Sequence, residues 1–239
     1  MTLVDIESPL CDFPKEDWDP RFDGADKEWP AAKDVFLNLI DLSLPAPSEL
    51  AHGHEHLRLM HLKHFRSVVR DTIRKQAQSP HHAIQPVLDV VGLHIDKRPD
   101  LDWKEMRRLI IANVTPVIFS YKVKFNRGRP WNCLGPALDA MFQRPDALYP
   151  GHPSYPSGHA TLAYTFAYFL ARLFPNATLA LMTEAAGVAF NREVAGVHFA
   201  SDSEAGRLLA KQMVEAMFDA KLNPNHGDFT AAVNALKLS

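Results

Sequence analysis

The chain has 239 residues, 46% of them apolar and 23% charged, enough for one sizeable core in a single domain or a domain with an added arm. Its net charge of −2 is near neutral and argues against a nucleic-acid binder. The charge is uneven: residues 1–34 carry ten Asp or Glu against four Lys or Arg, which leaves a mildly basic body, about +4, suited to an anionic substrate.

Two cysteines, Cys11 and Cys133, permit one disulfide at most and suggest neither a disulfide framework nor a zinc site. The opening residues MTLVDIESPLCDFP lack a basic start followed by an apolar stretch. The cytoplasm is therefore the default expectation, with the periplasm as the alternative if a leader has been removed. No run approaches the ~20 apolar residues of a membrane span. LIIANVTPVIFSY is broken by Pro116, and ATLAYTFAYFLARLF ends at Arg172 and Pro175, so a soluble protein without a transmembrane span is expected.

In chain order, residues 1–47 combine Pro and Asp with Phe13, Trp18, Phe22 and Trp29, more large rings than disordered tails carry. They predict an irregular, ordered arm lying over the body or a neighbouring subunit, which offers a route to a homo-oligomer. A helical domain is expected over 48–239. Leu50, Leu57, Met60, Phe65, Val68, Val69 and Ile73 recur at helical spacing until Ser79-Pro80. Pro86 suits the first turn of a short helix through Gly92. Asp100 or Asp102 then caps a long helix to about Phe125, with a kink expected at Pro116. After the loop NRGRPWNCLGP come a short helix over 137–143 and the loop RPDALYPGHPSYP. Helices near 158–173, 176–194, 199–221 and 229–238 complete the chain. Strand alternation and internal repeats are missing, so the fold class is all-α.

Three stretches carry chemistry: KVKFNRGRP, PSGH and NREVAGVHFASD. His198 and Asp202 are four apart, a spacing that brings side chains together on one helix face. Asp202 can take the N–H of one ring nitrogen and leave the other bare and basic, which makes His198 a nucleophile. In PSGH, Ser157 is a good N-cap and Gly158 permits close backbone approach. A helix start there offers unpaired N–H groups and partial positive charge to an anion. His159 would stand beside that anion as a proton donor. Lys122, Arg129 and Arg192 complete a cradle of cations for a tetrahedral oxyanion.

The order Lys-x6-Arg-Pro, Pro-Ser-Gly-His, Arg-x5-His-x3-Asp resembles the type 2 phosphatidic acid phosphatase (PAP2) superfamily, which includes bacterial acid phosphatases, membrane lipid phosphatases and vanadium haloperoxidases. The resemblance covers about 122–202 and more loosely the helix that follows. It implies a compact helical bundle of that type. It also implies a phosphohistidine on His198 oriented by Asp202, and His159 as the acid that then activates water. Lys122, Arg129, Ser157, Gly158 and Arg192 would bind phosphoryl oxygens. The implied phosphatase needs no metal or cofactor and acts on a small phosphorylated substrate. In the haloperoxidase branch the same cradle would hold vanadate on His198. One departure is Asn191, where the family usually has serine.

His152, seven residues before His159, matches a position that tunes peroxide activation in brominating haloperoxidases; a histidine at the pocket rim is the preferred alternative. Trp131 and Tyr155 either line the pocket or belong to the core. His52, His54, His56, His61 and His64 could be metal ligands, but no acidic or cysteine partner sits at ligand spacing, and an exposed polar helix face is expected. A noncatalytic binding or assembly protein would not need the full set His159, His198 and Asp202. A phosphomonoester phosphatase is the main expectation and a small haloperoxidase the alternative.

Overall fold

The helix Gly158–Leu173 is apolar on nearly every face, a pattern satisfied only when other helices surround it. The computed structural model describes residues 10–19, 43–51, 54–92, 103–133, 151–219, 221 and 230. Phe22, Trp29, His52, Asp100, Asp102 and the helices expected near 137–143 and 229–238 lie outside the described residues, apart from Thr230.

In order, the helices are α1 (Pro47–Leu50), α2 (Glu55–Leu62), α3 (Arg70–Gln78), α4 (Pro80–Asp89), α5 (Trp103–Phe125), α6 (Pro130–Cys133), α7 (Gly158–Leu173), α8 (Thr178–Val194) and α9 (Ala200–Met217). The described residues contain no strand; Asp12 and Arg127 form an isolated antiparallel bridge. The all-α expectation holds. α7 lies at the centre, packed against α4, α5, α8 and α9. Its Phe166, Phe169 and Leu170 are fully buried, while Ala160, Ala163 and Ala167 leave room for the neighbouring helices. α8 contributes the stripe Leu181, Ala185 and Val188, and α9 contributes Leu209, Met213 and Met217. Among the described residues no helix is long and apolar enough to cross a membrane.

The helical run expected up to Ser79 is instead three helices, with a 3-10 turn at Lys63–Phe65. α4 also starts a turn and a half before Pro86. Ser79 Oγ accepts the His82 N–H and Pro80 occupies the first turn, so Pro86 falls inside the helix rather than opening one. Pro116 lies within α5, which continues to Phe125.

The stretch Leu10–Asp19 lies over the loop between α5 and α6. Phe13 is buried, its N–H donates to Asn126 O at 2.8 Å, and Gly128 N–H donates to Cys11 O at 2.5 Å. Asp19 N–H donates to Gly151 O at 2.7 Å. Cys11 and Cys133 form a disulfide that closes this strap onto the loop. Gly128 runs beneath it, and a Cβ there would collide with Cys11 Sγ.

Candidate active site

Arg192 continues the buried stripe of α8, four residues beyond Val188. It is 2% exposed, and its Nε and Nη1 are buried with no hydrogen-bond partner. Burial lowers its pKa to about 10. An arginine left this way in a protein interior is costly unless an anion completes it.

Asp202 is the third residue of α9 and accepts the Phe199 N–H through Oδ2 at 2.9 Å, closing the helix start. The same Oδ2 lies 3.2 Å from His198 Nδ1. The pair therefore meets at a helix entrance, not along a helix face, because α9 begins at Ala200 and His198 precedes it. On the other side of the ring, Arg129 Nη1 lies 3.3 Å from His198 Nε2. A guanidinium only donates, so Nε2 carries the lone pair and Nδ1 the proton. That is the tautomer a nitrogen nucleophile needs.

Ser157 caps α7: its Oγ accepts the Ala160 N–H at 3.4 Å, and its own N–H donates to Asp202 O at 2.9 Å. A Cβ on Gly158 would meet only Ile118 Cγ2, at 3.7 Å, so the protein leaves space at this helix start. His159 follows, its Nε2 3.1 Å from Gln76 O.

The other two expected cations are placed differently from Arg192. Lys122 Nζ donates to Pro153 O, Ser154 O and Pro156 O at 2.7, 3.0 and 2.7 Å, so all three of its N–H groups hold the loop before α7. Arg129 donates to Val197 O, His152 O and Pro153 O at 2.6, 2.9 and 3.3 Å. To reach a phosphoryl oxygen, Lys122 must exchange one of these loop contacts. Both residues nonetheless bring cationic groups into the site, although burial, with Arg129 beside it, pushes the Lys122 ammonium well below the usual lysine range. His152, His159 and His198 are held well below the ordinary imidazole range, first by burial. Arg129 and Lys122 act on all three, and Arg192 on His159 and His198. The histidines and the cations thus form one electrostatic cluster.

Residues 108–220 match the family model of the PAP2 superfamily. This part of the chain, residues 108–220, belongs to the PAP2 superfamily. The match extends from inside α5 past the end of α9, beyond the motifs themselves. At the level of the family, the activity is of the phosphatase type. No curated protein sequence matches the chain.

Around this candidate site the structure adds residues that the sequence motifs do not mark. Arg127, almost wholly buried, donates through Nη1 to Asp202 Oδ1 and to Ser201 Oγ, both at 2.7 Å, and through Nη2 to Glu55 Oε2 at 3.1 Å. Glu55 Oε1 in turn accepts the Ser201 N–H at 2.6 Å. Ser154 Oγ lies 3.4 Å from Asp202 Oδ1. Glu55 and Arg127 thus fix Asp202, which fixes His198. The available signals were modest. Arg127 repeats the charge of Arg129 across Gly128, and Glu55 shares a helical stripe with Leu59 and Leu62.

Tyr155 belongs to the core and not to the pocket: it is buried against Phe125, and its hydroxyl donates to Pro45 O. Trp131 is half-buried beneath the Arg129 guanidinium, 5.6 Å from its ring centre. His152 lies beside Arg129, Nδ1 to Nη2 3.1 Å, and edge-on to Phe119. In the histidine-rich segment, His54, His61 and His64 are exposed, but His56 is buried, contrary to the expectation of a uniformly exposed face.

Proposed function

We propose that the chain is a metal-independent phosphatase that hydrolyses small phosphomonoesters through a phosphohistidine on His198. The observation that carries this reading is Arg192, buried with two nitrogens lacking a partner beside His198 and the start of α7. A dianionic phosphoryl group would satisfy those donors and offset the crowding of positive charge. It would also restore a proton to His159, whose positive neighbours now oppose one.

In the first step, His198 Nε2 attacks phosphorus as the P–O bond to the alcohol breaks, and His159 gives its proton to the departing oxygen. Asp202 and the Arg127–Glu55 pair hold Nδ1 while positive charge develops on the ring. In the second step, neutral His159 takes a proton from water, the oxygen attacks phosphorus, and the N–P bond breaks to return the lone pair to Nε2. Arg192 and the N–H groups of α7 stabilise the equatorial oxygens in both steps.

The test is hydrolysis of p-nitrophenyl phosphate in the presence of chelator. Turnover should persist with chelator, disappear in His198→Ala and be blocked by orthovanadate. Vanadate would be held by the same residues: the bare Nε2 of His198, the unpartnered nitrogens of Arg192 and the N–H groups at the start of α7. When bound, it supplies the peroxide-dependent oxidation of a halide. Vanadate binding without ester hydrolysis, together with bromide oxidation, would favour that alternative. The Cys11–Cys133 disulfide favours an oxidising compartment over the cytoplasmic default.

A further inference from the structure

The family match starts at residue 108, yet the ring of His159 is held by a residue of α3. Gln76 lies in the last turn of α3, where helix carbonyls lack a partner within the helix. Its carbonyl oxygen is 3.1 Å from His159 Nε2. A carbonyl only accepts, so Nε2 carries a proton there and Nδ1 is the nitrogen left to exchange one. The Gln76 side chain is also held: Asn191 Nδ2 donates to its Oε1 at 3.2 Å. Gln76 is 3% exposed and stands three residues after the buried Ile73, so this end of α3 is packed down on the site.

We infer that Gln76 and Asn191 are positioning residues for proton transfer: Asn191 pins Gln76, whose carbonyl fixes the His159 ring with Nε2–H turned away and Nδ1 presented to the leaving oxygen. The inference rests on the phosphatase reading, in which His159 is the acid. It also gives Asn191, the departure from the usual serine, a use in this chain. The charged and titratable groups acting on His159 are Arg192 from α8, Arg129 from the loop before α6, Lys122 from α5 and His198 from the α8–α9 loop. All the cations oppose its protonation, whereas the Gln76 carbonyl favours it. The negative end of the α3 dipole acts in the same direction as that carbonyl.

The effect is separable from general loosening of the site because leaving groups differ in their need for an acid. p-Nitrophenolate departs without a proton, but an alkoxide does not. In Asn191→Ala, kcat for an alkyl phosphate should fall by ~10-fold or more and for p-nitrophenyl phosphate by ~3-fold at most, given that general acids contribute ~10²–10⁴-fold. Gln76→Ala should reproduce this, and the double variant should be no worse than either single change, since all three cut one link. Independently, long-range proton–nitrogen correlation spectra of the nitrogen-labelled protein should show His159 as the Nε2–H tautomer. Its titration midpoint should move down by ~0.5 unit or more in Asn191→Ala. Equal losses on both esters, an Nδ1–H tautomer, or an unmoved midpoint overturns the inference. If the wild type hydrolyses neither ester, the phosphatase reading falls and the catalytic role with it, while the tautomer and midpoint still decide whether the contact exists.

Discussion

Arg192 and Arg127 are both buried arginines, but they make opposite demands on the fold. Arg127 engages Asp202, Ser201 and Glu55 through both terminal nitrogens and leaves Nε alone without a partner, whereas Arg192 leaves both Nε and Nη1 without partners. Removing Arg127 leaves two buried carboxylates uncompensated, so Arg127→Met should destabilise by about 3–5 kcal/mol. Removing Arg192 relieves an unsatisfied group. Arg192→Met should therefore leave the melting temperature of the ligand-free protein unchanged or higher, yet lower kcat/KM by ~10²–10³-fold and abolish stabilisation by vanadate. Thermal melts with and without vanadate, read beside kinetics, check both; a large stability loss in Arg192→Met would contradict the assignment. The motif residues were legible in the sequence because their types and spacing are specific. The contacts of Arg127, Glu55 and Gln76 were not, because each joins segments far apart in the chain and no local spacing records such a meeting.

At the scale of helices, the site depends on how closely α9 crosses the start of α7. A Cβ at Gly206 would lie 3.0 Å from Ser157 O, a tight contact, and 2.9 Å from Thr161 Oγ1, closer than real Cβ contacts. Gly206→Ala should push the two helices apart just where one carries His159 and the other Asp202. Displacements of about 1 Å in such sites cost ~10²-fold, so kcat/KM should fall by that order while much of the α7 core, farther along, keeps the protein folded. Circular dichroism melts alongside the kinetics would separate this from unfolding. The long helices α7, α8 and α9 were readable because their apolar residues point into one core. Residues 48–79 misled for the converse reason. Leu57, Phe65 and Val68 are 43%, 54% and 81% exposed, so the period they trace is not a buried stripe. The stripes that are buried run through Glu55, Leu59 and Leu62, and through Ile73 and Gln76, and polar residues concealed them from a hydrophobic pattern.

For the whole molecule, the candidate site gathers the end of α5, the loop beyond it, the starts of α7 and α9, and the end of α8 into a largely buried, positively charged cluster. The consequence for stability follows from His152, His159 and His198, whose pKa values are all depressed in the folded protein. In the unfolded chain each takes up a proton near pH ~6.5, whereas in the folded protein each stays neutral to much lower pH. The unfolded state therefore binds more protons below about pH 6.5, and stability present above that value is lost as the pH falls toward the folded values. Each histidine contributes at most about 1.4 kcal/mol per pH unit in this window. A bound oxyanion reverses the balance. Its negative charge favours imidazolium, raises the folded pKa values and narrows the window. Melting temperatures measured between about pH 5 and 8 should thus decline on the acid side, and added phosphate should protect most where the decline is steepest. A protein that melts at the same temperature across this range, or gains nothing from phosphate at low pH, would not have its histidines in a cation-crowded anion site.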